Sequence, residues 1–144
     1  MSKLATFFNG NDTEVGVFYP RHCLVATFPD GEAQKAYLQL RSHGHSDKDV
    51  IAVSGPEVVE FAEEYAQKHG LVTKVMTEVS RFFDTEAPYA DHDLKMARQG
   101  AGFVVAHCRD DREKSQVWAQ INQLHPLAAR FYGEAGVEHL AGEY

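Results

Sequence analysis

Apolar positions recur along the chain at two periods, and their alternation divides it into short strands and amphipathic helices. "HCLVATFPD" is a brief β-rich run closed by Pro29 and Asp30. "GEAQKAYLQLRSHG" follows with Ala33, Ala36, Tyr37 and Leu40 at helical spacing, one apolar face on an otherwise polar segment. Asp30 is the expected N-cap and Gly44 the expected C-terminal stop, with His43 in the last turn, where a helix favours positive charge. After the polar link "HSDKD", the run "VIAVSG" is too short for a helix and rich in β-branched residues. The reading is strand, helix, strand.

The plan recurs in "GFVVAHCRDDREKSQVWAQINQLHPLAARFYGEAG". A β run leads to Asp110 as cap with Glu113 three residues on, then to Val117, Trp118, Ile121 and Leu124 as an apolar stripe. Leu24, Val25 and Ala26 align with Val104, Val105 and Ala106, and Asp30 with Asp110; after one inserted residue, Glu32, Gln39 and Gly55 match Glu113, Gln120 and Gly136. This is an internal repeat of pattern and loop length, with few identities.

Between the copies the pattern is helical. "SGPEVVEFAEEYAQKHG" puts Pro56 in a first helical position and Val58, Phe61, Ala62 and Tyr65 on one face, with most of its charges on the other. "LVTKVMTEVSRFF" continues at helical spacing, "DTEAP" breaks it at Pro88, and "YADHDLKMARQG" predicts one more short helix. The expected organisation is a single domain, 1–144: an arm over 1–20, a first β-α-β unit over 22–55, a helical insertion over 56–100, a second unit over 101–135 and a tail over 136–144.

Two β-α-β units in tandem predict an α+β fold, a ferredoxin-like four-stranded antiparallel sheet with its repeat helices on one face. With the first and third strands as central neighbours, Leu24, Ala26 and Phe28 share a face with Val104, Ala106 and Cys108 and meet those helices. Val25 and Thr27 share the other face with Phe103, Val105 and His107, beneath the insertion or against a partner's.

These residues carry a resemblance to a known family. The unit containing "SHGHSDKDVIAVSG", the central helical portion, and the helix leading through "DLKMARQGAGFVVAHC" into a second unit resemble bacterial small proteins of the general stress protein 17M type, over roughly residues 22–135. Gly44 and "SDKDV" match the family's helix-ending glycine and acidic turn, and "KMARQGAGFVVA" its basic helix leading into the third strand. Many relatives carry a Gly-rich apolar middle, whereas residues 56–99 here are amphipathic and charged. The resemblance implies an architecture and a link to stress, with no catalytic residues to carry over.

Charge narrows the classes further. Fourteen Lys and Arg against 21 Asp and Glu leave a net charge of -7, with no basic cluster, which argues against nucleic acid and anionic membrane as partners. There is no long apolar run, so the expected location is cytoplasmic. Two cysteines, Cys23 and Cys108, are too few for a disulfide framework and lack CxxC spacing. If their strands pair antiparallel about Ala26 and Ala106, the thiols come near one another but point to opposite faces, whereas a disulfide needs β-carbons within about 4.5 Å.

Candidate chemistry is sparse. His43, His45 and Asp47 in "RSHGHSDKDV" have metal-ligand character, but the histidines straddle the glycine that ends the helix, and the stretch reads first as a helix stop and a solvated loop. "DTEAPYADHDLK" offers Asp84, Glu86, Asp91, His92 and Asp93, yet consecutive residues splay by about 100° around a helix, and acids suit a helix start. His107, expected within a central strand, could line a ligand pocket with Thr27 and with Tyr89 or His92 from the insertion; the simpler reading is a satisfied core histidine. "AVSGP" lacks the G-x-S-x-G frame, so nucleophilic catalysis has no motif. No cofactor is expected. The leading expectation is a non-catalytic, stress-associated binding or regulatory module, a homo-oligomer with a small ligand or protein partner. The alternatives are a small metal- or ligand-dependent enzyme using the pocket side of the sheet, and a purely structural oligomer.

Overall fold

The computed structural model describes residues 2–9, 21–68, 87–133 and 136–142. Its elements run α1 (Lys3–Asn9), β1 (Cys23–Phe28), α2 (Ala33–Ser42), β2 (Val50–Val53), α3 (Gly55–Lys68), α4 (Ala87–Arg98), β3 (Gly102–His107), α5 (Asp111–Asn122), β4 (Ala128–Gly133) and β5 (Gly136–Ala141). The fold is α+β. The five strands form one antiparallel sheet in the order β2-β3-β1-β4-β5. The expected count was four; the added strand comes from residues read as a tail, because Gly133 and Gly136 close a hairpin that folds 136–141 back along β4.

Alternation along β1 and β3 divides the core as their sequences foretell. Leu24, Ala26, Phe28, Val104, Ala106 and Cys108 pack on Ala33, Ala36 and Leu40 of α2 and on Val117 and Ile121 of α5. Cys23, Val25, Phe103 and Val105 face the other way, onto Val58, Phe61 and Ala62 of α3 and Leu94 and Ala97 of α4. Covering both faces explains why β1 is buried at every position. Leu4, Phe7 and Phe8 join this second layer from α1, within the stretch read as an arm, with the Phe8 ring edge-on to Phe61 at 5.3 Å. The register is Ala26 opposite Val104, a two-residue shift from the assumed pairing with Ala106, and an even shift keeps every side chain on its face.

Helix ends follow local chemistry. Asp110 caps α5 by accepting the Glu113 N–H at 2.8 Å. Asp30 does not cap α2: residues 29–32 form a turn in which the Glu32 N–H reaches the Pro29 carbonyl and Gly31 takes a φ of 81°, so the helix begins later. Pro88 lies in the first turn of α4, where its missing N–H has no intrahelical partner to lose, and the segment it was expected to end lies outside the described residues. Ser54 and Glu57 exchange bonds at the start of α3, a capping box. The helix predicted over "LVTKVMTEVSRFF" falls outside the described residues.

The stretch "RSHGH" is a Schellman stop. The Gly44 N–H bonds the Arg41 carbonyl and the His45 N–H the Leu40 carbonyl, with Gly44 at a φ of 91°. No atom lies within 4 Å of a Cβ built there, so Gly44→Ala carries only the backbone cost. The urea midpoint should fall by an amount equivalent to about 1 kcal/mol.

Candidate functional site

The sequence candidates separate in space. Thr27 pairs with Phe103 on β3, and His107 lies four residues further along that strand, about 14 Å away at the usual rise. They share a face but occupy opposite ends of it, so they do not line one pocket; a two-residue period assigns the face and says nothing of the end. Tyr89 and His92 both fall on α4. His43 is exposed and its Nδ1 lies 2.9 Å from the Gln39 carbonyl, the bond of a helix terminus. His45 and Asp47 follow it in the loop, and among the described residues no group of three His, Cys, Asp or Glu side chains is placed to hold a metal ion. Asp84 and Glu86 lie outside the described residues.

His107 instead lies beside an ionic cluster at one end of the sheet. Its Nδ1 lies 3.7 Å from Asp49 Oδ1. Arg109 grips Asp49 through two bonds of 3.0 and 3.3 Å and also reaches Glu113 on α5. The hydrogen bond that Arg109 donates to Asp49, with the charge of that carboxylate, holds the guanidinium above its ordinary pKa. The cluster joins the entry of β2 to the start of α5.

Both thiols lie close to this end of the sheet, on opposite faces, free and fully buried. Burial pushes Cys23 up, with Cys108 adding to it. Burial likewise raises Cys108 to about 12, reinforced by Glu113, Asp49 and Asp110. Neither is a thiolate nucleophile at neutral pH. Because folding raises these acids' pKa, the native state holds protons that the unfolded chain releases, and stability is lost as pH climbs past the unfolded value of about 8.5. The urea midpoint should therefore decline between about pH 9 and 12, less steeply in Cys108→Ala. Native protein at neutral pH should resist alkylation until denatured.

A second polar group is wholly interior. Arg130 of β4 and Asp93 of α4 are 1% and 0% exposed and joined Nη2 to Oδ2 at 2.5 Å. Arg130 Nε also donates to the Tyr132 hydroxyl at 3.1 Å. Asp93 was visible within an acidic helix start, but Arg130 was missed. Its signal was available: in "AARFYG", alternation aims an arginine at the same covered face as Tyr132.

The third place is an open groove of about 810 Å³ between the start of α5 and the β4-β5 hairpin. Phe131 and Val137 give it apolar surface, and Gly133 and Gly136 line it without side chains. Lys114 crosses it, its ammonium 5.2 Å from the Phe131 ring centroid, 2.8 Å from Glu138 and 3.7 Å from Asp111. The hydrogen bond that Lys114 donates to Glu138, with the charges of Glu138 and Asp111 beside it, holds the ammonium above its ordinary pKa. An apolar patch crossed by paired charges can seat a ligand with an apolar body and a polar edge. Sequence reasoning missed Lys114 and Glu138, whose meeting depends on β5. No protein-family model, curated protein or solved structure matches the chain.

Proposed function

We propose that this chain is a non-catalytic, stress-associated cytoplasmic binding or regulatory module, built on a ferredoxin-like core and working as a homo-oligomer. The ferredoxin-like reading is supported by the strand order β2-β3-β1-β4, produced by two β-α-β units, with β5 as an addition. The link to stress rests on the resemblance carried by "SHGHSDKDVIAVSG" and "KMARQGAGFVVA". One observation carries the binding role: the groove beside α5, with its aromatic surface and its Lys114, Glu138 and Asp111 charges.

The ligand class this chemistry favours is small, amphipathic and zwitterionic, an apolar group on Phe131 with its charges exchanging for those about Lys114. Titrating isotope-labelled protein with dipeptides bearing one apolar side chain tests it by NMR. The amides of Lys114, Phe131, Gly133 and Glu138 should shift together and saturate. Saturating shifts confined to α4 would instead favour a site between the sheet and the inserted helices. That second reading, a small ligand-dependent enzyme, is favoured by the buried Asp93 and Arg130 pair on that side. It requires turnover of a defined substrate.

A further inference from the structure

We infer that Lys114 is a built-in occupant of the groove beside α5, and that the ligand which displaces it is a small zwitterion carrying an N-alkylated ammonium and a carboxylate. This rests on the groove as the binding site proposed above and names the chemistry it selects.

Phe131 and Glu138 stand directly opposite one another on β4 and β5, so ring and carboxylate share one face of the sheet, the face that α5 covers. Lys114 of α5 lies over both, its ammonium 5.2 Å from the ring centroid and 2.8 Å from Glu138. Phe131 lines the groove yet is only 5% exposed, with Lys114 across it. A ligand reaches that ring by moving Lys114 aside. The move is cheap, because the Glu138 side chain is more than half exposed and an ion pair so open to water is weakly held. Beside the ring, Gly133 and Gly136 leave the floor of the groove bare, and no atom comes within 4 Å of a Cβ built on Gly136.

What Lys114 leaves behind decides the ligand. Phe131, Glu138 and Asp111 together offer an aromatic face and two carboxylates, a seat for a cation. Arg109 does not fill it, since its guanidinium is held by Asp49 and Glu113. A primary ammonium brings nothing that Lys114 lacks, and it competes with a side chain tethered at the same spot. An N-alkylated ammonium carries the same charge inside a shell of methyl groups, which bury against the ring. The displaced Lys114 then needs an anion, and a carboxylate on the ligand supplies it. Charge is balanced along a chain that runs from Glu138 through the ligand to Lys114.

The test is an NMR titration of the labelled full chain with trimethylammonioacetate, with tert-butylacetate, which has the same shape without the positive charge, and with tetramethylammonium. The first should shift the amides of Lys114, Phe131, Gly133 and Glu138 together and saturate at millimolar concentration. tert-Butylacetate should bind at least about ten-fold more weakly. In the wild type the zwitterion should also bind more tightly than tetramethylammonium. In Lys114→Met that order should invert, because the carboxylates lose their counter-charge while the ligand's own carboxylate loses its partner. Equal binding of trimethylammonioacetate and tert-butylacetate, or an order unchanged in Lys114→Met, overturns the inference. Should Lys114→Met fail to fold, the comparison of the two acetates in the wild type decides it. Capture by phosphatidylcholine vesicles with no response to the free zwitterion overturns it in favour of a lipid headgroup. If dipeptides shift these amides and trimethylammonioacetate does not, the inference falls and the groove stands as a site; if neither does, both fall.

Discussion

Arg130→Met, with Asp93 left in place, should lower the free energy of unfolding by about 3–5 kcal/mol in a urea titration. The reason lies in what remains. Asp93 is 0% exposed and keeps its carboxylate without the guanidinium that neutralises it, so the loss is mostly the cost of an interior charge deprived of this counter-charge. Changing both residues together, Asp93→Leu with Arg130→Met, removes the charges as a pair and should recover most of that loss. If the double variant is as unstable as the single, the pair stabilises outright. If it is stable but its α4 amides exchange faster with solvent, the pair fixes how α4 seats on β4 and adds little to overall stability.

Gly55→Ala should be comparably damaging for a different reason, costing about 3 kcal/mol or more in the same titration. Gly55 opens α3 where it meets the end of α4. A Cβ built there lies 2.1 Å from the Ala97 carbonyl oxygen, 3.0 Å from its carbon and 3.1 Å from the Ala101 carbonyl oxygen. Those are backbone atoms, and Gly100 ends α4 in a Schellman turn that fixes them, with the Ala101 N–H on the Met96 carbonyl. Relief requires the two helices to part. A variant as stable as wild type would show that α3 and α4 do not approach so closely in solution.

Much of this architecture was legible because it depends on local period. The two faces of β1 and β3 follow from alternation, and Asp110 with Glu113 announces the start of α5. The stop at Gly44 is likewise readable, and it explains "RSHGH" without a metal. What escaped depends on distance along or across the sheet. Thr27 and His107 were assigned one face, but only the register puts them at opposite ends. β5 was passed over because "GVEHLA" is partly polar, as suits an edge strand with no fully buried position. With it went the Lys114 to Glu138 contact and one wall of the groove. Arg130 sits in a strand of small and aromatic residues, and its partner is 37 residues away in sequence on a helix that any local window treats separately.

The central claim is that the protein acts as a self-associating module, and the mass of the native chain in solution tests it most directly. Size-exclusion chromatography with in-line light scattering, on tag-free protein across a wide range of concentration, should give a species of twice the 16.1 kDa chain mass that dissociates only on dilution. A peak that stays at 16.1 kDa at the highest concentration would contradict the account.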